Sequence, residues 1–181
     1  MATTNKTISG TYSFSSGTIT YTGGSANYTN LTDASDASYA QFDGESSFAS
    51  WPLVDMPSDL VTVTAVIINI REAQGSNKLD FGSLSSVQIF KSNGTTAITS
   101  AVTATDTTTP TTFNLTPATI HFADKTSWDG AVIKVLQDVG TDTGIRVYKL
   151  DVDITYTAGA VAAGPFKSFT RSFALRRASQ Y

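Results

Sequence analysis

Over residues 148–156 the side chains alternate without a break: Tyr148, Leu150, Val152, Ile154 and Tyr156 share one parity, and Lys149, Asp151, Asp153 and Thr155 the other. A period of two marks a strand with one buried and one wet face, because successive side chains leave a pleated backbone on opposite sides. On that reading Asp151 and Asp153 are ordinary surface charge beside Lys149. Residues 61–71 carry a different apolar pattern, with Val61, Val63, Ala65 and Ile67 on one parity and Val66, Ile68 and Ile70 on the other. Such a strand is either covered on both faces or bulged near its middle.

Further strands are predicted at residues 7–14, 18–22, 38–42, 86–91, 95–102, 111–115 and 131–137. Asn93-Gly94 supplies a hairpin turn because both residues tolerate positive φ. Residues 103–112, TATDTTTPTT, read as a polar edge loop. Composition points the same way: 29 Thr and 21 Ser stand where a helical protein carries charge, and only 15% of residues are charged. The branched Cβ of threonine suits a pleated surface. Many short strands divided by turn signals predict an all-β chain, an antiparallel β-sandwich of jelly-roll type with a C-terminal extension.

Several kinds of chemistry are excluded or disfavoured. With no Cys there is no disulfide framework, thiolate metal site or cysteine nucleophile. The N-terminus lacks the basic and apolar regions of a signal peptide, and the longest apolar run is far too short to span a bilayer, so the expectation is a protein used without Sec export and without a membrane. Asn-x-Ser/Thr matches begin at Asn5, Asn27, Asn30, Asn93 and Asn114, as chance produces in a threonine-rich chain, and none is read as glycosylated.

Charge divides the chain. Residues 1–60 hold Lys6 against six acids, residues 61–157 hold seven bases against nine acids, and residues 158–181 hold four bases and no acid. The expected organisation is therefore a sandwich over residues 1–157 and a linker with a basic arm over 158–181. In the arm Phe166, Phe169 and Phe173 fall at i, i+3 and i+7, one face of a helix that Pro165 can start, whereas in an extended arm the same rings fall on both sides. Rings of that kind bury only against something already folded. Phe166, Lys167, Phe169, Arg171, Phe173, Arg176 and Arg177 are accordingly the candidate partner-binding residues. Four cations on an acidic body are a weak footprint for nucleic acid, and the interleaved rings fit a protein partner better.

The remaining motifs favour bland readings. Asp33, Asp36 and Asp43 cluster as calcium ligands do, but they match no EF-hand spacing, so turn and cap roles are expected and no metal is assigned. His121 is the one imidazole, in an apolar-flanked TIHFAD without a G-x-S-x-G elbow, and reads as a hydrogen-bonded packing residue. Gly23-Gly24 has neither the lysine nor the following helix of a phosphate loop. Trp51 and Trp128, with Tyr21, Tyr28 and Tyr39, would make a sugar-stacking platform if exposed, although large aromatics more often fill cores. No cofactor is expected.

Residues 30–42 (NLTDASDASYAQF), 56–73 (MPSDLVTVTAVIINIREA) and 128–156 (WDGAVIKVLQDVGTDTGIRVYKLDVDITY) together resemble the β-sandwich domains of structural proteins in tailed bacteriophages. The resemblance runs from Asn30 to Tyr156, about 70% of the chain, and transfers no catalytic or binding residue. It implies a non-enzymatic virion protein, assembled in the host cytoplasm, that binds other virion proteins and its own copies through strand edges and terminal arms. A head decoration or cement protein is the first expectation. The alternatives are a tail, collar or fibre component, or a glycan-binding host-attachment module; a hydrolase comes last.

Overall fold

The computed structural model describes residues 1–10, 13–14, 18–22, 31–32, 35–43, 48–74, 83–105, 107–137 and 144–159. In chain order its strands are β1 (Ala2–Thr7), β2 (Ser13–Phe14), β3 (Thr18–Thr22), β4 (Tyr39–Asp43), β5 (Phe48–Pro52), β6 (Leu60–Gln74), β7 (Ser83–Phe90), β8 (Val102–Thr105), β9 (Thr111–Leu115), β10 (Val132–Gln137) and β11 (Ile145–Ala158), with one helical turn, α1 (Lys125–Trp128), before β10. One sheet runs β3-β4-β11-β6-β9, with β1 also paired to β11; the other runs β2-β5-β10-β7-β8. Every described pairing is antiparallel. Apart from β3–β4 and β7–β8, each step along the chain crosses from one sheet to the other, so the fold is a β-sandwich of jelly-roll type.

The long strand β11 organises the first sheet. On one side it pairs with β6 along nearly its whole length; on the other, β4 takes Ile145–Val147 and β1 takes Asp151–Tyr156, so two short strands share one edge end to end. The register with β6 shifts three times. Thr155 faces Ala65 while Tyr156 faces Val63, which leaves Thr64 as an extra residue on β6; a second shift leaves Val61 unmatched. These bulges choose between the two expectations for residues 61–71. The core-facing parity changes from Val63 to Val66, Ile68 and Ile70, while Val61 and Ile67 are exposed.

Between the sheets lie Trp51, Ile68, Ile70, Ile89, Ile133 and Val152, all without solvent exposure. Trp51 Nε1 donates to the Tyr21 hydroxyl at 3.3 Å, which ties β5 to β3 across the sandwich. Trp128 closes the core from α1, with its Nε1 donating to the Phe122 carbonyl at 2.9 Å. Asp124 caps this turn by accepting from Ser127 N at 2.9 Å and Ser127 Oγ at 2.8 Å. Those serine hydrogen bonds hold the Asp124 carboxyl below its usual range.

Three local expectations are corrected. Residues 7–14 are not one strand: β1 ends at Thr7, Gly10 takes φ +68°, and the chain enters the other sheet as β2. Residues 95–102 form only isolated bridges before β8, at Ala97 and Thr99. Asn93 Oδ1 accepts from Thr95 N and Thr96 N, each at 3.0 Å, so these amides serve the turn rather than a ladder. The supposed loop over 103–112 instead contains most of β8 and the start of β9.

Candidate functional site

The second sheet turns a regular side-chain grid outward. Ala49, Trp51, Val87, Ile89, Ile133 and Val135 fill the core, so the intervening residues of β5, β7 and β10 point away from it. Register sets them in three rows across the strands: Phe48–Leu136–Ser86, Ser50–Lys134–Gln88 and Pro52–Val132–Phe90. Lys134 stands at the centre, and the two phenylalanines occupy opposite corners.

The lysine bridges the rings. Its Nζ lies 4.5 Å from the Phe48 ring centroid and 4.6 Å from that of Phe90, within cation–π range of both. The Asn93-Gly94 turn closes one end of the grid. Gly94 takes φ +67°, and a Cβ there would stand 4.0 Å from Lys134 Cε. Gln88 Nε2 donates to the Thr99 carbonyl at 2.7 Å, which fixes the amide beside the lysine. Around this centre run two adjoining depressions that share Phe48 and Lys134, one of about 210 Å³ toward Ser86 and Leu136 and one of about 330 Å³ toward Ser50 and the turn. They form a shallow, mainly apolar groove beside the two phenylalanines, in which Ser50, Ser86, Gln88 and Lys134 supply the polar groups.

The outward face of the first sheet differs in its charge balance. Arg71 grips Asp36 through Nε at 2.6 Å and Nη2 at 2.7 Å, and this hydrogen bonding holds the Asp36 carboxyl below its usual range. Lys149 Nζ lies 2.9 Å from Asp151 Oδ2. Asn5 and Asn69 both donate from Nδ2 to Asp151 and Asp153, at 2.7–2.9 Å. The cluster is internally satisfied. Lys134, by contrast, meets no carboxylate among the described residues.

The candidates read from sequence fare unevenly. Phe166, Lys167, Phe169, Arg171, Phe173, Arg176 and Arg177 lie outside the described residues, as do Gly23, Gly24, Tyr28, Asp33 and the side chain of Asp43. Asp36 is in a turn, as expected, and serves as the partner of Arg71. His121 is exposed rather than packed; its backbone N–H, not its ring, bonds the Ile98 carbonyl at 2.7 Å. Trp51 and Trp128 are core residues, so neither can stack on a sugar at the surface. Asp151 is buried, contrary to its reading as plain surface charge, because Asn5 and Asn69 flank it on neighbouring strands. Lys134 and Phe90 were legible only as strand residues, and Phe48 was not placed on a strand at all.

No protein-family model and no curated protein sequence matches the chain. Among solved structures it is similar to an arabinose-bound α-L-arabinofuranosidase, MgGH51, with 12% identity and a TM-score of 0.50 over 79% of this chain and 23% of that one. It is also similar to the CBM22-1 xylan-binding domain of Xyn10C from Paenibacillus barcinonensis, with 11% identity and a TM-score of 0.48 over 84% of this chain and 94% of that one. The chain thus spans about a quarter of the arabinofuranosidase. At such identity the first likeness speaks to the β-sandwich fold alone.

Proposed function

We propose that the chain is a non-enzymatic binding module that holds carbohydrate in the groove over Lys134, and that it serves a tailed-phage particle as an attachment protein. The observation that carries the first part is the grid itself: two aromatic rings and a set of polar side chains held on three paired strands. A sugar ring has an apolar C–H face and a rim of hydroxyls, and this surface offers a partner to each. Strands fix such a site more rigidly than loops do, which lowers the ordering cost of binding. Placement in a virion rests on the sequence resemblance.

A head decoration protein is the second reading. Charge favours it, since residues 158–181 add four cations and no acid to an otherwise acidic chain.

A glycan array probed with wild type and with Phe48→Ala and Phe90→Ala separates the two. The carbohydrate reading expects saturable binding in wild type, loss of roughly tenfold or more in each variant, and unchanged melting. If no glycan binds and the chain still joins particles through its arm, the decoration reading takes over.

A further inference from the structure

We infer that the groove selects saccharides bearing an anionic group and that Lys134 is the residue that sets this preference; the inference rests on the carbohydrate reading above. The chain carries a formal net charge of −3, and residues 1–157 alone hold fifteen acids against eight bases. In that acidic body Lys134 lies without a described carboxylate partner, at the middle of a groove. Arg71, Lys125 and Lys149 each have a carboxylate within salt-bridge distance. Lys6 donates to the Asp55 carbonyl, Lys91 lies over Phe122 and Arg146 donates to Gln41, so Lys134 is set apart from these by its place in the groove between two rings.

The rings explain how the lysine can stay in place without an acid. Phe48 and Phe90 present their π faces to the ammonium at 4.5 and 4.6 Å, which holds the side chain between them while leaving its charge uncancelled. An ammonium has three N–H donors, and an aromatic face saturates none of them as a carboxylate oxygen does. An anionic oxygen entering the groove would therefore gain a charge-assisted hydrogen bond without breaking an existing salt bridge. A neutral sugar would gain only ring contact and ordinary hydrogen bonds. Gln88, held by Thr99, and the Asn93-Gly94 turn bound the space beside the ammonium and restrict how a ligand can approach it.

Carboxylate sugars and phosphorylated sugars share this chemistry, and calorimetry with defined probes separates them. Wild type is titrated with trigalacturonate, with neutral maltotriose, with glucose 6-phosphate and with an oligoglutamate peptide, and the titrations are repeated with Lys134→Met and Lys134→Arg. The expected result is that one of the two anionic sugars binds about tenfold or more tightly than maltotriose, with the better of them naming the anion. Lys134→Met should bring the anionic and neutral sugars within about twofold of each other, and Lys134→Arg should keep the preference. Equal or tighter binding of maltotriose by wild type overturns the inference and leaves the carbohydrate reading standing. Binding of oligoglutamate as tightly as the anionic sugar also overturns it, in favour of an acidic peptide. Absence of binding to every sugar overturns both. If Lys134→Met does not fold, Lys134→Gln and the loss of anionic preference at raised salt supply the same comparison.

Discussion

Glu72 projects from β6 into the interior, with no solvent exposure, and Ser85 Oγ donates to its two carboxylate oxygens at 2.8 and 3.0 Å. Burial pushes the carboxyl up from 4.5 to about 7, and the serine only partly counters it. The raised value disfavours folding once the unfolded chain ionises. Below 4.5 both states are neutral at this group and no penalty exists; between 4.5 and 7 the penalty grows, and above 7 it is complete. Glu72→Gln is therefore expected to be more stable than wild type at pH 8 by roughly 1–3 kcal/mol, with the difference fading by about pH 4. Urea denaturation at both pH values measures it, and a variant less stable at pH 8 would contradict the account. Neither Glu72 nor Lys134 stood out in the sequence. A lone glutamate or lysine in a strand has no spacing motif, and its surroundings come from strands distant in the chain. Asp151 shows the same limit: alternation places it correctly opposite the core-facing residues, but its burial depends on Asn5 and Asn69, 146 and 82 residues away.

At the scale of elements, strands with strict alternation were the legible ones. Residues 18–22 and 111–115 were placed with their observed bounds, and 148–156 lie wholly within β11. β5 was missed because Phe48 and Ala49 are both apolar, which blurs the period of two in a run of five residues, and Pro52 ends it. The bulges of β6 were foreshadowed by the parity change within residues 61–71, although their positions at Val61 and Thr64 depend on pairing with β11. The turn after β7 was legible from Asn93-Gly94, whereas its capture of the Thr95 and Thr96 amides was not. Gly94 carries a testable consequence. With φ +67°, replacement by alanine is expected to cost about 1–2 kcal/mol and to weaken ligand binding through the displaced turn. Denaturation and calorimetry on Gly94→Ala check both effects, and wild-type stability would argue against the left-handed turn.

For the whole molecule, the sequence made the sandwich legible because a two-layer fold imposes one buried parity on most of its strands. The groove was hidden because it combines three strands whose outward residues look unremarkable singly. All eleven described strands lie before residue 159, so removing residues 160–181 deletes none of them. The shortened chain is expected to keep its circular dichroism spectrum and melting temperature to within a few degrees and, on the proposed virion reading, to lose incorporation into the particle; failure to fold would make those residues part of the domain. The groove itself is tested most directly by an amide NMR titration of the labelled full chain with the tightest-binding saccharide. The account predicts saturable shifts concentrated at Phe48, Ser86, Gln88, Phe90, Asn93 and Lys134. Shifts concentrated instead on the opposite face, around Tyr39, Arg71 and Arg146, would contradict it.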